Sequence, residues 1–171
     1  GGTRGIGRAI VEAAAHAGAS VAFTYRSSTE TADQLVEALG GDEKALAIQA
    51  DAASGEDAQT AVEAVVAKWG SIDGLVVNAG ITRDGLMIRM DAQAWQDVID
   101  TNLTGAFHVT KAALKHLPDG SAIINTGSIN GLRGNKTLMD YSATKGAVTA
   151  LTYSLAQSLA PRNIRVNCVA P

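Results

Sequence analysis

The chain has one cysteine, no long apolar run and no concentration of charge of either sign, and each absence closes off a class of answer. A single thiol, Cys168, allows no internal disulfide and no cysteine-based metal site. It lies in the apolar run "IRVNCVAP", where the choice is between a small buried hydrophobe and a reactive thiol. No stretch approaches the ~20 apolar residues that span a bilayer, and no charged segment followed by an apolar one stands at the N-terminus. Lysine and arginine are scattered singly in a chain of net charge −3, which offers no basic face to nucleic acid and no cationic helix to a membrane surface. There is no internal repeat, low-complexity tract or linker. The expectation is a single soluble, cytoplasmic domain without a metal, long enough at 171 residues to bury a sizeable core.

What the chain does contain is an alternation of short apolar runs and helical patterns. Apolar positions at Ile6, Ile10, Ala13 or Ala14 and Ala17 predict a helix that Gly18 stops. "SVAFTY", "ALAIQA", "DGLVVNAG", "SAIINTGS" and "IRVNCVA" are strand candidates. Between them lie helical patterns, one begun by a Ser54 to Asp57 capping spacing and one, over 91–117, by Asp91 and closed by Pro118. A last helix is expected over 138–160. The strands are nearly uninterrupted apolar runs, as strands covered on both faces are, so the pattern predicts a doubly wound α/β fold, a parallel sheet with helices on either side. Ligands of such folds bind beyond the carboxyl ends of the strands, which directs attention to "GGTRGIG", "RSS", "DAAS", "NAG", "GSI" and "AP".

The opening "GGTRGIGRAI" lacks the G-x-G-x-x-G spacing but places Gly1, Gly5 and Gly7 ahead of a helix. Glycine lets the backbone approach a pyrophosphate, and free N–H groups around Gly5 and Ile6 favour an anion; the alternative is a tight loop needing positive φ. Where a protein that reads the ribose hydroxyl of NAD carries an acid, this chain has Arg26, then Ser27. With Arg4 in the glycine turn, two guanidiniums suit a 2'-phosphate, so NADPH is preferred over NADH unless both arginines are solvated surface charges.

Tyr141 and Lys145 lie one helical turn apart, and an ammonium beside a phenol favours the phenolate, which suits proton exchange with a carbonyl or alcohol. The alternative is a surface pair. Ser128 ends the preceding strand, as a carbonyl-binding hydroxyl or a helix cap. Asn102 sits mid-helix, where asparagine is a mediocre helix former, so it either has a structural task or faces solvent.

In this order, Gly1-x-x-x-Gly5-Ile6-Gly7, Asp51, Asn78-Ala79-Gly80, Asn102, Ser128 and Tyr141-x-x-x-Lys145 resemble the short-chain dehydrogenase/reductase family over essentially the whole chain. The resemblance implies a Rossmann-type sheet in three layers, a nicotinamide cofactor and a catalytic tetrad. Tyr141 would be the acid/base; Lys145 would hold the nicotinamide ribose and lower the tyrosine pKa. Ser128 would polarise the carbonyl, and Asn102 would hold a water of a proton relay behind Lys145. Asp51, with Ala52 beside it, would meet the adenine; Asn78, Ala79 and Gly80 would line the cofactor, and Thr3 and Ile6 would help hold ribose or phosphate.

Within the family, "NAGITRDGLMIRMDAQAWQDVIDTNLTGAF" looks like 3-oxoacyl thioester reductases, while the later "GSINGLRGNKTLMDYSATKGAV" looks more like glucose-dehydrogenase-like and general carbonyl reductases. "KHLPDGSAII" lacks the basic cluster that would steer an acyl carrier protein. The expected activity is NADPH-dependent carbonyl reduction of the 3-oxoacyl kind, with a broad carbonyl reductase or a glucose or sugar alcohol dehydrogenase as alternatives. A non-catalytic NADP-binding sensor or scaffold is the alternative of another class. Ile129, Leu132, Leu138 and Met139 would suit an apolar substrate wall or plain packing. The family's usual homotetramer would be built partly by the helices over 91–117 and 138–160, the alternative being that these are well-covered core helices. The resemblance also implies a strand before Gly1 and a substrate loop and strand after Pro171. The 171 residues are therefore expected to be the interior of one domain of roughly 250 residues, incomplete at both ends and unable to fold alone into an active enzyme.

Overall fold

Short apolar runs and helices alternate in the computed structural model, which describes residues 1–171. The glycine turn leads into α1 (Gly5–His16), then β1 (Val21–Tyr25), α2 (Thr29–Ala38), β2 (Ala45–Gln49), α3 (Gly55–Trp69) and β3 (Gly74–Val77). The second half holds α4 (Ala92–Ile99), α5 (Gly105–Leu114), β4 (Ala122–Thr126), the short α6 (Ile129–Arg133), the long α7 (Met139–Leu159) and β5 (Arg165–Val169). Two helices start as their capping residues require. Ser54 Oγ accepts the Asp57 N–H at 3.1 Å and Asp91 Oδ1 accepts the Ala94 N–H at 2.7 Å, each satisfying a first-turn donor. Helix α1 differs: its N-cap, Arg4, supplies no side-chain acceptor, which leaves the first N–H groups of α1 available to an anion.

Every strand pairing is parallel. β1 pairs with β2 from Val21↔Ala45 to Tyr25↔Gln49, and β4 lies between β3 and β5 in a second sheet. The Rossmann-type layer is thus divided into a two-stranded and a three-stranded sheet. Gly1 and Gly2 lie between their carboxyl ends: Gly2 N–H donates to Thr24 O at 2.9 Å, while Gly1 packs against Asn78 and Ala79 just beyond β3.

The core follows the same division. Val11 of α1 and Ala32, Leu35 and Val36 of α2 close on Phe23, Tyr25 and Ala45 of the first sheet. Ile123 and Val166 of the second sheet pack with Leu117, Leu159 and Ile164, and Val62 of α3 meets Ala112 and Ala113 of α5. Full burial of each large aliphatic side chain contributes about 1.5–3 kcal/mol, so these clusters dominate stability.

Coverage on both faces, expected from the apolar runs, holds for only part of the layer. In the second sheet Val76, Ile124 and Val169 are 38%, 39% and 56% exposed. Ile123 and Val166, on the opposite face, are buried by the packing of α7 and the β3–α5 region. Helices α1 and α2 pack on β1 and β2.

Candidate active site

Asn102 is set by a break in the helix expected over 91–117. Between α4 and α5 the chain makes a π-helical turn, Asp100–Thr104, with Gly105 N–H donating to Asp100 O. Such turns insert a residue and re-aim the side chains beside it. Gly105 lies directly on the Ala52 carbonyl, an approach that a Cβ would block, so the turn also fits α5 against the loop after β2. Asn102 is 2% exposed, which excludes the solvent-facing alternative. Its Oδ1 accepts the Ile81 N–H at 2.8 Å, and its Nδ2 donates to Ile81 O at 2.9 Å and to Thr144 Oγ1 at 3.2 Å. Thr144 Oγ1 donates in turn to Tyr141 O at 2.8 Å, so Asn102 ties the loop after β3 to the first turn of α7.

Tyr141 and Lys145 share that helix. Lys145 is 3% exposed; its Nζ donates to Thr126 O at 2.6 Å and lies 5.6 Å from the centroid of the Tyr141 ring. Burial holds the Lys145 ammonium below its usual pKa of 10.5, with the neighbouring Cys168 acting in the opposite sense. A lysine so deeply placed beside the tyrosine is no solvated surface pair. Cys168 itself is only half-buried. Gly80 completes the cluster: a Cβ there would stand 3.3 Å from Asn102 Oδ1 and 3.6 Å from Lys145 Nζ.

Ser128 is the N-cap of α6, its Oγ accepting the Asn130 N–H at 3.2 Å. Capping uses a lone pair and leaves the hydroxyl proton to be donated elsewhere. Gly131 lets α6 lie on α7 at Lys145 and Gly146; a Cβ would come within 2.7 Å of the Lys145 carbonyl carbon. The contact draws α6, with Ser128 at its head, against the segment of α7 that carries Lys145.

At the other end, Gly5 adopts φ +52°, open to glycine and strained for other residues. A Cβ on Gly7 would run into the Gly1 carbonyl and the Asn78 amide. Thr3 is half-buried, Ile6 and Arg4 are exposed, and Arg4 makes no ion pair. Asn78 Oδ1 accepts the Thr126 hydroxyl at 3.2 Å. Arg26 and Ser27, both exposed, follow β1. Arg26 Nη2 lies 3.2 Å from Asp51 Oδ2, a pairing that no sequence spacing announces.

Several residues the sequence reading passed over belong to this region. Thr144, Gly105 and Gly131 act through contacts between elements distant in sequence. Leu86, Met87 and Ile88, all exposed, form an apolar lip on a loop tethered by a 2.9 Å bond from Gly85 N–H to Thr137 O. Their signal was a run of apolar residues, "LMI", inside a loop. Ile129 and Leu132 are also exposed, while Leu138 and Met139 are half-buried. No three His, Cys, Asp or Glu side chains group closely enough to hold a metal, and no helix is long and apolar enough to cross a membrane.

Comparison with known proteins agrees with this geometry. The family profile described as short chain dehydrogenase matches residues 1–171. The 3-oxoacyl-[acyl-carrier-protein] reductase of Staphylococcus aureus is 47% identical over 176 residues, covering 100% of this chain and 71% of the relative. A crystal structure from Brucella melitensis, described as a short-chain dehydrogenase/reductase, glucose/ribitol dehydrogenase, superposes with a TM-score of 0.96 at 37% identity, over 100% of this chain and 72% of the other. A short chain dehydrogenase from Burkholderia cenocepacia in complex with NADP superposes with a TM-score of 0.94 at 40% identity, over 100% and 71%. The chain therefore belongs to the short-chain dehydrogenase/reductase family of NAD(P)-dependent oxidoreductases.

Proposed function

We propose that this enzyme reduces the ketone of a 3-oxoacyl thioester to an alcohol with NADPH. The observation that carries the proposal is the buried Lys145, set beside Tyr141 and joined to the Asn102 network through α7.

The residues fit a dinucleotide. A cradle that a Cβ on Gly7 would fill lies at the uncapped start of α1, where Gly1, Thr3, Gly5, Ile6 and Gly7 would hold the pyrophosphate and its ribose. Arg4, Arg26 and Ser27 would take the 2'-phosphate, and Asp51 with Ala52 the adenine. Asn78, Ala79 and Gly80 would line the nicotinamide end, and Tyr141 and Lys145 would hold its ribose. When bound, the cofactor supplies the hydride.

The chain supplies position and a proton. Ser128 donates to the carbonyl oxygen on which charge grows, and Tyr141 delivers the proton that turns that oxygen into a hydroxyl. Lys145, its Nζ 5.6 Å from the centre of the Tyr141 ring, places a positive charge beside the residue that exchanges the proton. Asn102 holds the loop after β3 and the head of α7 at one spacing, the kind of positioning on which turnover depends.

The apolar lip of Leu86, Met87 and Ile88, with Ile129 and Leu132, favours an acyl chain over a sugar. The likeness to the Brucella protein favours a sugar or polyol dehydrogenase as second reading. An acyl carrier protein is the proposed carrier of the thioester, and the cytoplasm the proposed compartment. Phe107 of α5 and Tyr153 of α7, both exposed, give these helices outward aromatic faces that suit pairing in a homotetramer. Titration with NADPH and NADH, followed by assays of acetoacetyl thioester, glucose and small ketones, tests the proposal. Tighter NADPH binding and preferential turnover of the thioester are expected; tighter NADH binding or preferential glucose oxidation contradicts it.

A further inference from the structure

Two charged groups assigned to different parts of the cofactor are held against each other. The ladder explains how: Tyr25 and Gln49 form its last rung, so Arg26 and Asp51 leave the same edge just beyond it. Ala50 N–H donates to Tyr25 O at 2.9 Å and Gln49 Nε2 to Arg26 O at 3.1 Å, which keeps the two chain segments together past the strands.

Asp51 is fixed more firmly than its partner. Its Oδ1 accepts the Ala53 N–H at 3.0 Å and its own N–H donates to Asp57 Oδ2 at 2.7 Å, which leaves Oδ2 facing Arg26. The Arg26 side chain is 74% exposed and makes no other ion pair. A guanidinium whose fork is partly taken by a carboxylate offers less to a phosphate, and the carboxylate itself repels a phosphate that approaches.

We infer that Asp51 is a specificity-determining residue: as counter-ion of Arg26, it restrains the preference of the enzyme for a 2'-phosphorylated dinucleotide over the unphosphorylated one. The inference rests on the assignment of Arg26 to the 2'-phosphate. A ligand with the phosphate must open the Arg26–Asp51 pair, whereas one with a free ribose hydroxyl leaves it closed. The cost therefore falls on NADPH alone. Exposed pairs of this kind correspond to about two- to fivefold in an equilibrium constant.

The test is Asp51→Asn, which keeps an oxygen for the Ala53 N–H and removes the charge. Dissociation constants for NADPH and NADH are measured by fluorescence titration in the wild type, D51N, R26A and the double variant, at low and raised salt. D51N is expected to tighten NADPH about two- to fivefold and to give NADH no gain, so that the ratio between them widens; raised salt shrinks the difference by screening. In the R26A background, D51N is expected to give little or no such widening, because the pair is already broken. Equal weakening of both cofactors by D51N, or the same widening with and without Arg26, overturns the inference and leaves Asp51 a contact for adenine alone. A wild type that binds NADH as tightly as NADPH, with R26A changing neither, overturns the cofactor assignment and the inference with it.

Discussion

The two ends of the site are built differently. Around Tyr141, the charged and amide groups are buried and bonded to the backbone: Asn102 to Ile81, Lys145 to Thr126. Around Arg26, the guanidinium is exposed and is held only by an ion pair to the half-buried Asp51. Buried polar groups hold one geometry because every alternative leaves an unsatisfied atom in a dry interior. Exposed ion pairs exchange partners at small cost. The end around Tyr141 is therefore rigid, and the end around Arg26 is adjustable.

Substitutions at the rigid end should have effects that those at the exposed end cannot match. Tyr141→Phe removes the proposed proton donor and is expected to lower kcat about 10²–10⁴-fold while cofactor affinity stays near wild type, measured by steady-state kinetics beside a binding titration. Asn102→Leu leaves the Ile81 N–H and C=O without partners and is expected to destabilise the fold by about 2–4 kcal/mol in urea denaturation.

Lys145→Met should act in opposite directions on the two properties. Turnover falls with loss of the ammonium, but stability rises, because a charge that burial disfavours is replaced by an apolar chain. The pH dependence carries the sign. Burial lowers the folded-state pKa of Lys145 below 10.5, so between the two values the unfolded chain binds more protons and wild-type stability rises with pH. The urea-midpoint gap between variant and wild type should be widest at neutral pH and narrow as pH climbs toward 10.5.

A smaller effect is expected at Asp140, 0% exposed, whose Oδ1 accepts the Tyr141 N–H while Oδ2 has no partner. Asp140→Asn keeps the bonded oxygen and puts an amide where Oδ2 already lacks a partner, so stability is expected to change by about 1 kcal/mol or less, read as a small shift in Tm.

The same contrast governs what the sequence made legible. All five strands, the long helix α7 and the caps Ser54 and Asp91 were readable, because apolar period and capping chemistry are local. The Tyr141–Lys145 pair was readable because four residues make one helical turn. The π turn at Asp100–Thr104 was not, since one residue inserted in a helix barely disturbs a periodic pattern; the contact beside it, Gly105 on the Ala52 carbonyl, joins residues far apart in sequence. Gly131 against Lys145 and Arg26 against Asp51 were hidden for the same reason. The open face of β3, β4 and β5 was not legible, because an apolar run signals capacity for burial and not what covers it.

The most direct test of a rigid chemical end working on a bound cofactor is single-turnover absorbance of NADPH held by the enzyme, on mixing with a 3-oxoacyl thioester. Stoichiometric oxidation by the wild type, slowed by orders of magnitude in Tyr141→Phe, is the result expected. NADPH that binds tightly and stays reduced with every carbonyl offered would contradict catalysis and leave a nucleotide-binding protein in its place.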